Sequence, residues 1–244
     1  MNDAVAISMI TMIGTGHVFR ITEQVSFIVK YTWPDAVLIE LDERRYAALT
    51  NDAVSGKQSE NSPKLYQESA EYQNKVSERN GAKPGGELLA AVLAGKIVGA
   101  DIICIDKDAE QVMREVEEDM SRMERIRYST SSATERLFKK NKKDVTPKDF
   151  VVDEETYIDK MRKRFPTLVK KLIDERNSFM AEKIEEASEK YNNIVVVVGD
   201  AHVKGICELL DGMDIETIRL AEMMDQESMN KVKSRIWNKK SEAS

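Results

Sequence analysis

The chain has only two histidines, and each follows a glycine by three residues at the end of an apolar run. His17 closes Gly14-Thr15-Gly16-His17 after the run 5–13. His202 closes Gly199-Asp200-Ala201-His202 after the β-branched run 194–198. An uninterrupted run of this kind reads as a strand buried on both faces. Glu40 follows the short apolar run 36–39, and Asp106 ends a fourth run at 100–105. If these strands are parallel, their carboxyl ends lie at one edge of the sheet, where sites form in open α/β folds. Two neutral imidazoles and a carboxylate leave open positions on a divalent ion, where water can be activated. Glu40 could instead act as general base while other oxygens hold the ion. Each residue also has a plain structural reading: a loop residue, a helix cap, and the start of an acidic helical turn.

Arg176 is the next unusual residue. The spacing predicts a helix over 167–191 with a stripe of Leu168, Leu172, Ile173, Phe179, Met180 and Ile184, and Arg176 lies on that stripe with Asn177 beside it. A guanidinium on a core-facing stripe is costly unless it meets a carboxylate, a substrate oxyanion or backbone carbonyls. It is either an ion pair with Glu40, Asp42 or Asp106, or a clamp for a substrate carbonyl or carboxylate, and the two are compatible. Lys139, Lys140, Lys142 and Lys143 could touch phosphate, but such runs are usually solvated surface. Asp108 is well explained as a helix cap, and the methionines of 213–229 as core and amphipathic helix. Gly14-Thr15-Gly16 has neither the lysine nor the spacing of a phosphate loop.

Positioning these groups calls for an α/β fold: a largely parallel or mixed central sheet flanked by helices, with a helical or mobile insertion. Strands are expected at 5–13, 36–39, 100–105, 194–198 and 215–220, with helices at 22–31, 87–95, 109–126, 154–164, 167–191 and 201–210. Pro166 separates the fourth and fifth helices. Residues 51–84 lose apolar periodicity and read as an insertion, and 127–147 as a connector. We expect a single domain over 1–221 and a polar, fraying tail at 222–244, with Ile236 and Trp237 as its docking residues.

Composition narrows the function classes. The net charge is −6 with 33% charged residues, so both signs intermix and nothing draws the chain to nucleic acid. Aromatic residues make up 6%, too few for a base-stacking surface. Cys104 and Cys207 do not make a disulfide framework, which suits a reduced, cytoplasmic setting. The N-terminal apolar stretch lacks a basic start, and no apolar run approaches the ~20 residues needed to span a bilayer. A soluble protein is expected.

The segments Gly14-Thr15-Gly16-His17, Glu40-Leu41-Asp42 with Arg44 or Arg45 after it, Glu175-Arg176-Asn177 and Gly199-Asp200-Ala201-His202-Val203-Lys204-Gly205 together resemble the TraB/PrgY family. That family includes pheromone-shutdown proteins and is similar to the Tiki metalloproteases and, more distantly, to the erythromycin esterase and ChaN-like group. The resemblance implies a divalent-metal-dependent hydrolase using manganese, cobalt or zinc. It would be a peptidase on short or flexible peptides, or act on another small carbonyl substrate. It places His17, His202 and Glu40 at the metal, with Glu40, Arg176 and Asn177 in catalysis. Arg44, Arg176, Asp106 and Asp200 are the expected substrate contacts. Two departures stand out: the polar C-terminal stretch replaces the membrane region of pheromone-shutdown relatives, and Asp200 replaces a small residue. The alternative is a protein that sequesters a peptide or small ligand without turnover. A homo-oligomer is left open.

Overall fold

The structure, a computed structural model, describes residues 8–16, 19–50, 62–130 and 154–242. Their strands are β1 (Met9–Thr15), β2 (Ala36–Ile39), β3 (Asp101–Cys104), β4 (Asn193–Gly199) and β5 (Ile215–Ile218). They form one sheet in the order β3-β2-β4-β1-β5, and every pairing is parallel. The choice between a parallel and a mixed sheet is thus settled for the parallel one. β4 lies at the centre, which explains why Ile194 to Val198 carry no polar residue: all five are fully buried.

Side chains alternate across the sheet. Ile10, Met12, Leu38, Val196 and Val198 face one side, packed with Met180, Ala181 and Ile184 of α9 (Glu175–Ser188) and Val203 and Ile206 of α10 (Asp200–Leu209). Ile13, Val37, Ile39, Val195 and Val197 face the other, packed with α1 (Thr22–Thr32) and α4 (Gly86–Val98). α4 lies close on the sheet at Gly95, where a Cβ would stand 2.8 Å from Ile102 Cδ1 and 2.9 Å from Val37 Cγ2. The helix after β1 therefore covers one face, and the helix after the adjacent β4 covers the opposite face. Such divergence opens a crevice at the carboxyl edge of an α/β sheet.

Between the two faces the chain runs through α2 (Glu43–Thr50), α3 (Lys64–Arg79), α5 (Ala109–Asp119), α6 (Arg122–Thr130), α7 (Glu154–Arg164) and α8 (Pro166–Val169). Leu65, Val116, Met120, Met161, Phe165, Leu168 and Val169 form a satellite core among them. The helix expected over 109–126 is two helices. Met120 is extended, and Ser121 and Glu124 exchange backbone–side-chain hydrogen bonds of 3.2 Å, a capping box that starts α6 anew. Residues 64–79 of the expected insertion are helical with Leu65 buried, while 51–61 lie outside the described residues, as does 131–147 of the connector.

Of the tail expected at 222–244, the described residues up to 242 are largely helical. α11 (Leu220–Met224) and α12 (Gln226–Glu242) continue the chain, and Met229, Val232 and Ile236 are buried in the α1–α4 core. Their i, i+3, i+7 spacing supplies the apolar stripe that anchors the helix. Trp237 is 60% exposed, with its ring 6.3 Å from that of Tyr31. Among the described residues no helix is long and apolar enough to cross a membrane.

Candidate functional site

Glu40 follows Ile39 at the end of β2, and strand alternation turns it to the side that Leu38 faces, toward α9. It is 3% exposed. One carboxylate oxygen, Oε2, accepts the backbone N–H of Gly199 at the end of the neighbouring β4. The other, Oε1, accepts from Arg176 Nη2 at 2.5 Å. Glu40 is thus tied to the next strand and to the helix above it.

Arg176 lies in the first turn of α9, just after a π-helical turn, Lys170–Asp174, which interrupts the straight α-helix expected over 167–191. Single π turns recur at functional sites. The Leu172 carbonyl, inside that turn, accepts from Arg176 Nη1 at 3.2 Å. Nε and Nη2 grip Asp106 bidentately, at 2.9 Å to Oδ1 and 2.7 Å to Oδ2, so Nη2 is shared by two buried carboxylates. Burial opposes the guanidinium charge, but Glu40 and Asp106 outweigh it and hold the pKa above the ordinary arginine value. Asp106 also accepts from Arg45 Nη1 at 3.1 Å and from its neighbour's backbone N–H, that of Lys107, at 2.9 Å.

His202 lies in the first turn of α10 and is 4% exposed. Nδ1 stands 2.6 Å from Asn177 Oδ1, a carbonyl that can only accept. The proton is therefore assigned to Nδ1, so that Nε2 accepts from Arg176 Nη1, 3.3 Å away, with Glu40 Oε1 3.6 Å from the same nitrogen. Asn177 is itself buried and leans over Gly205, where any Cβ would collide with its side-chain nitrogen. The second glycine of Gly199-Asp200-Ala201-His202-Val203-Lys204-Gly205 thus allows α10 to approach the residue that orients the histidine.

Glu40, Asp106, Arg176, Asn177 and His202 therefore meet at the carboxyl edge, joined by Arg45. His17 lies outside the described residues; Thr15, two residues before it, pairs in register with Gly199. Two of the expected substrate contacts, Asp200 and Arg44, have other partners. Asp200 is held by Arg219, at 2.8 Å from both Nε and Nη2, and by the Leu220 N–H at 3.0 Å. Gly14 leaves room for it, since a Cβ there would strike Asp200 Oδ1. Arg44 is turned away and pairs with Glu110 at 2.7 Å, with 56% of its side chain exposed. Of the two arginines after Asp42, Arg45 is the one at the site. Asp42 pairs with neither Glu40 nor Arg176; it caps α2 by accepting the Arg45 N–H at 2.8 Å. That cap carried the missing signal, because it sets the helical register that aims Arg45 inward.

A divalent ion of this chemistry takes three or more protein donors around one point. Among the described residues no three His, Cys, Asp or Glu side chains converge on one point. Glu40 Oε1 and His202 Nε2, 3.6 Å apart, make a pair of the right chemical type. The Asn177 carbonyl behind the imidazole fixes its orientation, as an acceptor behind a metal-bound histidine does. Arg176 competes for the same Glu40 oxygen. These two donors do not make a metal site by themselves: an ion here needs a third donor and Arg176 off the Glu40 oxygen. Cys104 offers no nucleophile here: burial, then the carboxylate of Glu43, pushes its thiol up to about 12.

The family model described as TraB/PrgY/gumN matches residues 5–219. The chain is also similar to the uncharacterized protein MJ1365 of Methanocaldococcus jannaschii, at 31% identity over 224 residues that cover 86% of this chain and 56% of that protein. The chain thus spans about half the length of that relative. No solved structure matches.

Proposed function

This chain belongs to the TraB/PrgY/gumN family, and from that premise we propose that it is a divalent-metal-dependent hydrolase acting on the carbonyl of short or flexible peptides in the cytoplasm. The observation that carries the reading is the buried pair of Glu40 and His202, with the imidazole oriented by Asn177 and a guanidinium beside both. His202 Nε2 and Glu40 would hold the ion, with His17 as a third donor from the neighbouring strand end. When bound, manganese, cobalt or zinc would polarise a carbonyl and make water acidic enough to ionise near neutral pH. Alternatively, with other donors holding the ion, Glu40 would take a proton from the attacking water. Arg176, cationic across the working pH range, directs Nη1 into the site and steadies negative charge developing on the carbonyl oxygen. Asp106 fixes the guanidinium plane, and Asn177 fixes the imidazole.

Incubating the protein with a mixed peptide library and each of the three metals, then reading products by mass spectrometry, tests the proposal. Cleavage is expected only with metal, and Glu40→Gln, which preserves shape, should reduce it at least a thousandfold. Equal cleavage by Glu40→Gln, or cleavage without metal, would overturn it. One observation favours a second reading: Arg176 already bridges Glu40 and His202. A site with that cation in place suits the binding of an anionic peptide or small ligand without turnover. Saturable ligand binding that Arg176→Met abolishes, with no product under any metal, would support it.

A further inference from the structure

The helix α4 reads Gly-Glu-Leu-Leu-Ala-Ala-Val-Leu-Ala-Gly-Lys-Ile-Val, apolar on nearly every side. Such a helix is ordinarily buried all round. Here one side packs on the sheet through Leu88, Ala91, Val92 and Gly95, while Leu93 is 53% and Ile97 68% exposed. These two lie one turn apart, beside Ala90 and Ala94, and form one wall of an open groove of about 600 Å³. The other wall is α1, with Phe27 between Glu23 and Lys30 and Tyr31 just beyond Lys30. Phe27 and Tyr31 stack at 4.2 Å between ring centroids, and exposed Trp237 of α12 extends the face 6.3 Å from Tyr31. Exposed apolar side chains gathered along one groove make a candidate interaction surface, with Lys233 5.3 Å over the Phe27 ring at its side.

We propose that a second copy of this chain covers the groove, α1 against α1 across a twofold axis. The charge pattern selects that occupant. Glu23 and Lys30 are seven residues apart, about 10 Å along one side of the helix. Neither has an ion-pair partner among the described residues. A twofold axis passing between Ser26 and Phe27 runs the two α1 helices antiparallel and brings Glu23 of each copy to Lys30 of the other. An isologous contact must be self-complementary, and this face is so in charge as well as in apolar character. The same axis places Leu93 and Ile97 of each copy over the opposite groove.

Sedimentation equilibrium on the purified chain from 1 to 100 µM tests the interface. Wild type is expected to be a dimer, and Ile97→Glu, which alters an exposed side chain, a folded monomer. Glu23→Lys and Lys30→Glu should each raise the dimer dissociation constant about tenfold, since each puts two like-charged pairs across the axis. The double swap Glu23→Lys with Lys30→Glu should restore the wild-type constant. Circular dichroism confirms that each variant is folded. A wild type that stays monomeric at 100 µM would overturn the proposal, as would a double swap no tighter than the single ones.

Discussion

Arg176 carries the largest electrostatic consequence, because a single nitrogen serves two buried carboxylates. Removing one partner of such a buried set leaves uncompensated charge. Arg176→Met should therefore lower unfolding free energy in urea by about 3–5 kcal/mol. Arg176→Lys keeps the charge without the fork and should recover only part of that loss. Asn177 acts differently, since its carbonyl fixes which imidazole nitrogen keeps the lone pair. Asn177→Ala should cost about 1–3 kcal/mol in stability. It should also lower hydrolytic turnover 10- to 100-fold, the loss typical when the residue orienting a metal-bound histidine is removed. Turnover in the Arg176 and Asn177 variants, read beside urea midpoints, separates the two roles.

The contact between α9 and α10 transmits that orientation, and Gly205 is where the helices meet. Gly205→Ala drives a methyl into Asn177 and should reduce turnover about tenfold, with His202 losing its partner. Gly99→Ala is the contrast: φ is 83° at this helix end with nothing within 4 Å, so about 1 kcal/mol of stability is lost while turnover is unchanged. Among the helices around the satellite core, Glu124 supplies a pH handle. Burial works against its charge, yet hydrogen bonds from Thr167 and Ser121 outweigh this and hold its carboxyl below the usual glutamate value. The depressed folded value means that its stabilisation is fully present above the unfolded pKa and is lost as pH falls through the folded one. Glu124→Gln should therefore flatten the acid limb of a stability curve below about pH 4.3 and leave no new slope near neutrality.

Across the whole molecule, the parallel sheet and the edge that carries the candidate site follow from the β-branched run ending at Gly199 and the short run ending at Glu40, because only a fully buried strand tolerates such sequences. Arg176 was legible for the same reason, as a charge on an apolar stripe. The split at Met120 was written in Ser121 and Glu124, but periodicity alone carried the helix past it. The choice of Arg45 over Arg44 and the turn of Asp200 toward Arg219 were not legible, since they depend on helix register and on a contact between distant segments. The docking of α12 was hidden by its charged residues, among which three apolar side chains suffice. Everything functional rests on His202 presenting an unprotonated Nε2 toward Glu40 where a cation can bind. Nitrogen-15 NMR of the imidazoles reads this directly, in a chain with two histidines to assign. The account predicts a neutral His202 with its proton on Nδ1, and an Nε2 resonance that moves on adding one equivalent of zinc while Nδ1 keeps its proton. A proton found on Nε2, or an Nε2 resonance that zinc leaves in place, would contradict it.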